Sequence, residues 1–178
     1  MKNIFLLLII IFAAIELPAQ QRIDQLGEAV GNYAKSLTAD KLQRATSITY
    51  SYGNGSVAPE YHYDYYIIVT STSINVTITH GYDGTVVYDE SADLQPTDYR
   101  KFINRLAKQK IRMSDELYPP LAGASTSYIS VKANDTTIFS GDEYDLEIGN
   151  GYLRDAFYDL LPSELQQVVD NAEQYIEL

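Results

Sequence analysis

Two histidines, His62 and His80, are the only imidazoles in the 178-residue chain, and cysteine is absent. Thiol nucleophiles, disulfides and an acylated lipobox cysteine are therefore excluded. Neither a Gly-x-Ser-x-Gly elbow nor a His-Glu-x-x-His helix occurs, so a serine triad or a multi-histidine metal site has little to draw on. His62 and Asp64 stand two apart, a spacing that puts both side chains on one face of a strand. Such a pair could act as an acid/base couple, although an exposed ion pair is its commoner use. His80 has the opposite parity and falls on the apolar face, so the two imidazoles share a site only if a bulge intervenes. Carboxylates are plentiful, but no two of them are marked as facing each other across a cleft, as a glycosidase pair would have to. No catalytic residue is assigned.

Tyrosine is the positive signal. The chain has sixteen tyrosines and no tryptophan, and eight of the sixteen lie between Ile48 and Asp89. Phenol rings offer rigid amphipathic area for sugars, peptides or protein surfaces. They are also good strand residues, and sheet positions account for most of them. The candidates for a binding role are Tyr52, beside a Gly-rich connection, Tyr66, on a polar strand face, and Tyr82, at a loop tip, together with His62. The ligand expected is a protein, peptide or glycan, with no cofactor and no metal. The acid-rich segment 141–150 lacks the EF-hand order of acids around a glycine, and the glycines of segment 53–60 are followed by neither the lysine nor the helix of a phosphate loop.

These residues have to be positioned by strands. In residues 61–70 the odd positions Tyr61, Tyr63, Tyr65, Ile67 and Val69 form the apolar face, and in residues 74–80 Ile74, Val76 and Ile78 do so. A three-residue loop with Gly84 in the left-handed conformation then pairs His80 with Val86 and Ile78 with Tyr88. The preceding hairpin brings a buried His80 opposite Tyr63 or Tyr65, most simply as a hydrogen-bonded pair. An earlier strand at 46–52 puts Ile48, Tyr50 and Tyr52 on one face.

Elsewhere, helical spacing of apolar residues predicts a helix over 22–37 and a second over 96–109, with the stripe Tyr99, Phe102, Ile103 and Leu106. The basic residues Arg100, Lys101, Arg105, Lys108 and Lys110 lie off that stripe, on a solvated face. Residues 114–125 read as a loop. Residues 126–133 and 136–140 read as a hairpin across Asn134-Asp135 that pairs Val131 with Ile138. Two short helices close the chain. Ser163 and Gln166 have the spacing of a capping box at the start of the second.

Residues 1–19, with Lys2, the apolar run 4–15 and Ala19, have the form of a signal peptide, which leaves 20–178 as one domain with no membrane span after cleavage. The formal net charge of −11 makes nucleic acid and anionic membranes poor partners. The run Tyr50-Ser51-Tyr52-Gly53-Asn54-Gly55-Ser56-Val57-Ala58-Pro59-Glu60-Tyr61-His62, with the strands through Gly84, resembles uncharacterised secreted proteins of Bacteroidota, as does Leu17-Pro18-Ala19-Gln20-Gln21. Asp135-Thr136-Thr137 resembles the short O-glycosylation acceptor of that group. The resemblance implies a periplasmic or secreted setting and brings no activity. The sequence thus predicts a single α+β domain, mainly an antiparallel sheet of five to seven strands with helices packed on one side. Its expected function is that of an exported, non-catalytic binding or interaction protein, the alternative being a secreted hydrolase that uses carboxylates or His62.

Overall fold

The computed structural model describes residues 31, 33–116 and 122–176. The chain divides into Met1–Lys35 and the compact unit Ser36–Leu178. In the first, Gly31 and residues 33–35 are helical; the expected signal peptide and all but the end of the expected helix over 22–37 lie outside the described residues.

The second unit opens with α1 (Ala39–Arg44), whose N-cap Thr38 accepts a hydrogen bond from the Lys41 amide. A meander follows: β1 (Ser47–Gly53), β2 (Tyr63–Val69), β3 (Ser73–His80) and β4 (Thr85–Asp93). Next come α2 (Pro96–Gln109), the short β5 (Arg112–Met113), the hairpin β6 (Thr126–Ala133) and β7 (Thr136–Asp142), and the short β8 (Leu146–Glu147). The unit closes with α3 (Leu153–Tyr158), α4 (Ser163–Asp170) and a 3-10 turn over Ala172–Ile176. Six strands form one sheet in the order β4-β3-β2-β1-β6-β7, every pairing antiparallel, while β5 and β8 pair separately. This is the α+β architecture expected from the sequence.

The strand faces follow the alternation. Ile48 and Tyr50 of β1, Tyr65, Ile67 and Val69 of β2, Ile74, Val76 and Ile78 of β3, and Ile129 and Val131 of β6 are buried. Phe102 and Leu106 of α2, Ala156 and Phe157 of α3, and Leu165, Val168 and Val169 of α4 belong to the same core. Each of the valine, leucine, isoleucine and phenylalanine side chains contributes roughly 1.5–3 kcal/mol when fully removed from water. Pro96 occupies the first turn of α2, where its missing N–H costs nothing, and Lys110 ends the helix in the left-handed region at φ 53°. The edge strand β4 carries Asp89, Glu90 and Asp93, charges that discourage pairing with another chain.

Several details depart from expectation, and two of them share one cause. A bulge between Ile78 and Thr79 keeps Ile78 opposite Tyr88 but places Thr79 opposite Val86 and His80 opposite Thr85. Thr79 is buried, and His80 is half-buried, its Nε2 3.2 Å from the Glu60 carbonyl oxygen. Tyr63 is indeed its cross-strand partner. A second bulge, between Val131 and Lys132, sets Val131 opposite Phe139 rather than Ile138. A bulge adds one residue to one strand and reverses facing beyond it. Residues 59–61 form a 3-10 turn started by Pro59, so β2 begins at Tyr63 and Tyr61 is exposed instead of continuing the apolar face. Ser163 is the first residue of α4, not its cap: Pro162 holds the cap position without a side-chain hydrogen bond, and the Gln166 side chain donates from Nε2 to the Tyr158 carbonyl.

Candidate functional site

Tyrosines of β1 and β2 meet on the helix-covered face because the two strands are paired with Tyr52 opposite Tyr65 and Tyr50 opposite Ile67. Directly opposed and diagonal side chains on one face of an antiparallel pair lie within reach of aromatic rings. A continuous ladder results. Tyr63 and Tyr52 have ring centroids 6.4 Å apart, Tyr52 stacks on Tyr65 at 5.1 Å, and Tyr65 leads to Tyr50 at 6.2 Å. Tyr50 contacts Phe157 of α3 at 5.5 Å, and Phe157 meets Phe102 of α2 edge-on at 5.0 Å. The ladder runs from the half-buried Tyr63 and Tyr52 into the core, where Tyr50 is only 2% exposed.

Its outer part floors a cleft of about 430 Å³, within the range usual for small-ligand sites. Opposite the rings, the cleft is walled by Ser127 of β6, Glu143 of the turn after β7, residues 152–155 at the start of α3, and Val169 and Asp170 of α4. The buried hydroxyls are hydrogen-bonded, as buried polar groups must be. Tyr50 donates to Ser127 Oγ at 3.0 Å, and Arg154 Nε donates to the Tyr65 oxygen at 3.4 Å. Arg154 also pairs with Asp170 at 3.1 Å and lies over the Tyr158 ring, while Tyr158 donates to the other Asp170 oxygen. Burial pushes the phenol pKa values of Tyr50, Tyr63 and Tyr65 above 10. Neighbouring Tyr65 and Glu143 add to the effect at Tyr50, and Tyr52 and Glu173 add to it at Tyr63, whereas Arg154 opposes it at Tyr65. These groups are neutral hydroxyls at physiological pH.

The sequence-derived candidates separate into three places. Tyr52 is in the cleft. Tyr66 has the opposite parity and stands on the open face, in a cross-strand row that reads Asp89, Thr77, Tyr66, Ser51, Tyr128, Asp142 from β4 to β7. His62 and Tyr82 come together elsewhere, with their rings stacked at 4.0 Å. His62, expected at the surface, is only 7% exposed: Tyr82 covers its face, Nδ1 lies 3.2 Å from the Gly55 carbonyl oxygen and Nε2 3.4 Å from Asp64. Tyr82 is itself held by a 2.8 Å hydrogen bond to the Val57 carbonyl. This cluster therefore clasps the connection between β1 and β2. Both imidazole nitrogens face oxygens of the protein itself and the ring face is covered by Tyr82, so His62 is turned into this clasp and not toward an open space.

Sequence reasoning missed Tyr50, Tyr63, Tyr65, Tyr152, Glu143 and Arg154 as lining residues. The shared parity of Tyr50 and Tyr52 with Tyr63 and Tyr65 on consecutive strands was the available sign. Two acids of the acid-rich segment are occupied locally: Asp142 accepts from the backbone amides of Tyr144 and Asp145, and Glu147 pairs with Arg112. No family model matches this chain, and no curated protein matches it in sequence. No described helix is long and apolar enough to cross a membrane.

Proposed function

We propose that the protein is an exported or periplasmic, non-catalytic binding protein whose ligand site is the tyrosine cleft. The observation that carries this reading is the cross-strand ladder Tyr63-Tyr52-Tyr65-Tyr50, rigidly backed by Phe157, with its outer rings open to a ligand-sized space. Rings fixed by a sheet lose little entropy on binding, which favours recognition. The compartment rests on the form of residues 1–19 and on the likeness to secreted Bacteroidota proteins. A hydrolase built on His62 has less support, because that imidazole is covered and its nitrogens are engaged.

The test is a thermal-shift screen of peptides, glycans and small metabolites on the wild-type protein and on Tyr52→Ser. Compounds that raise the wild-type melting temperature and lose that effect in the variant support the cleft. A compound set that stabilises both proteins equally, or that is turned over, contradicts the reading.

A further inference from the structure

We infer that the tyrosine cleft selects an organic cation with an alkylammonium head, a reading that rests on the cleft being the ligand site. Three observations converge on it. First, three of the lining rings have exposed area, Tyr52 and Tyr63 on the floor and Tyr152, 74% exposed, at the rim. The face of a phenol ring carries negative charge density that attracts a cation, more strongly when the cation is partly desolvated.

Second, the charges lining the cleft are unbalanced. Three carboxylates, Glu143, Asp155 and Asp170, face one guanidinium, that of Arg154. Arg154 is already committed to Asp170 and to the Tyr65 oxygen. The side chains of Glu143 and Asp155 make no ion pair among the described residues, so their charge is available to an incoming cation. Third, the exposed rings are held from beneath: Tyr52 stacks on the buried Tyr65 at 5.1 Å and lies 6.4 Å from Tyr63, so the ring faces presented to a cation are fixed before it arrives. A neutral ligand would leave the charge of the two carboxylates uncompensated, and an anion would meet them as like charges.

The chemistry distinguishes between molecules of one shape that differ in charge. Choline, its neutral isostere 3,3-dimethyl-1-butanol and the anion 3,3-dimethylbutanoate share the same branched head. Each is titrated into the protein while the ring signals of Tyr52, Tyr63 and Tyr152 are followed by NMR. Choline is expected to shift these signals and to bind roughly tenfold or more tightly than the neutral isostere, with the preference shrinking as salt is raised. The double variant Glu143→Gln, Asp155→Asn is expected to bring choline close to the isostere, and Tyr152→Leu to weaken choline severalfold. Near-UV circular dichroism establishes that both variants keep the fold.

If the isostere or the anion matches choline at the same rings, the cation inference is overturned while the cleft stands as the ligand site. If none of the three perturbs those rings, the cation inference also fails, and the cleft is then judged by the wider screen alone. A choline preference that survives in the double variant overturns the role given to Glu143 and Asp155.

Discussion

At the scale of single residues, Gly55 is the position most constrained by the backbone around it. Its φ is +88°, and a Cβ there would lie 2.6 Å from the carbonyl oxygens of both Gly123 and Ala124. Gly55→Ala is therefore expected to cost about 2–4 kcal/mol, from the left-handed conformation and the backbone clash together, as read from urea unfolding. A loss under 0.5 kcal/mol contradicts the close approach of these two loops. Gly53 is a milder case: a Cβ there meets the tip of the Asp64 carboxylate at 2.4 Å, and that carboxylate can turn away. Gly53→Ala should separate Asp64 from His62 while leaving the fold intact. An unchanged His62 ring signal in NMR would rule the contact out. None of this was legible beforehand, because a glycine in a sequence announces a possible turn but not which backbone will pass over it.

At the scale of elements, α2 and the strand phases were readable and the bulges were not. The stripe of α2 and the alternation in β2 and β3 are periodic signals spread over many residues, so they survive local irregularity. A bulge adds one residue with no change in composition, which is why His80 and Ile138 were assigned to the wrong partners. Leu106 is fully buried under the sheet, and Leu106→Ala is expected to cost about 2–5 kcal/mol in chemical unfolding. The aromatic ladder makes its own prediction. Burial raises the pKa values of Tyr50, Tyr63 and Tyr65 above the ordinary 10.0. A raised folded-state value means that this contribution is whole below pH 10 and is lost as the pH climbs through the folded-state values. Melting temperature should therefore fall steeply above pH 10, together with a rise in phenolate absorbance. Tyr50→Phe should flatten that fall while costing about 1 kcal/mol at neutral pH, from the lost bond to Ser127. Equal alkaline slopes in the two proteins would contradict the burial of this hydroxyl.

At the scale of the whole sheet, one face is covered by helices and the other is left open among the described residues of the second unit, and the two faces are expected to respond to pH in opposite directions. On the open face, Asn75 and Thr77 donate to Asp89 at 2.7 and 3.0 Å, and these bonds lower the Asp89 pKa from 3.8. A lowered folded-state value gives stability that is present above the unfolded pKa and is lost as the pH falls through the folded one. Asp89→Asn should accordingly weaken the acid limb of the stability profile and leave the alkaline limb alone. On the covered face, the cleft joins residues far apart in the chain: Arg154 reaches Tyr65 across 89 positions. Local pattern carries no information about such a meeting, which is why the tyrosine half of the site could be placed on strands and the carboxylate and guanidinium half could not. The most direct test of the cleft is to assign the tyrosine ring signals by NMR and follow them as a ligand found in the screen is added. The expected result is that Tyr52, Tyr63 and Tyr152 move together while Tyr66 and Tyr128, on the open face, stay where they are. Movement of Tyr66 and Tyr128 with the cleft rings unchanged would put the binding surface on the other side of the sheet and contradict the account.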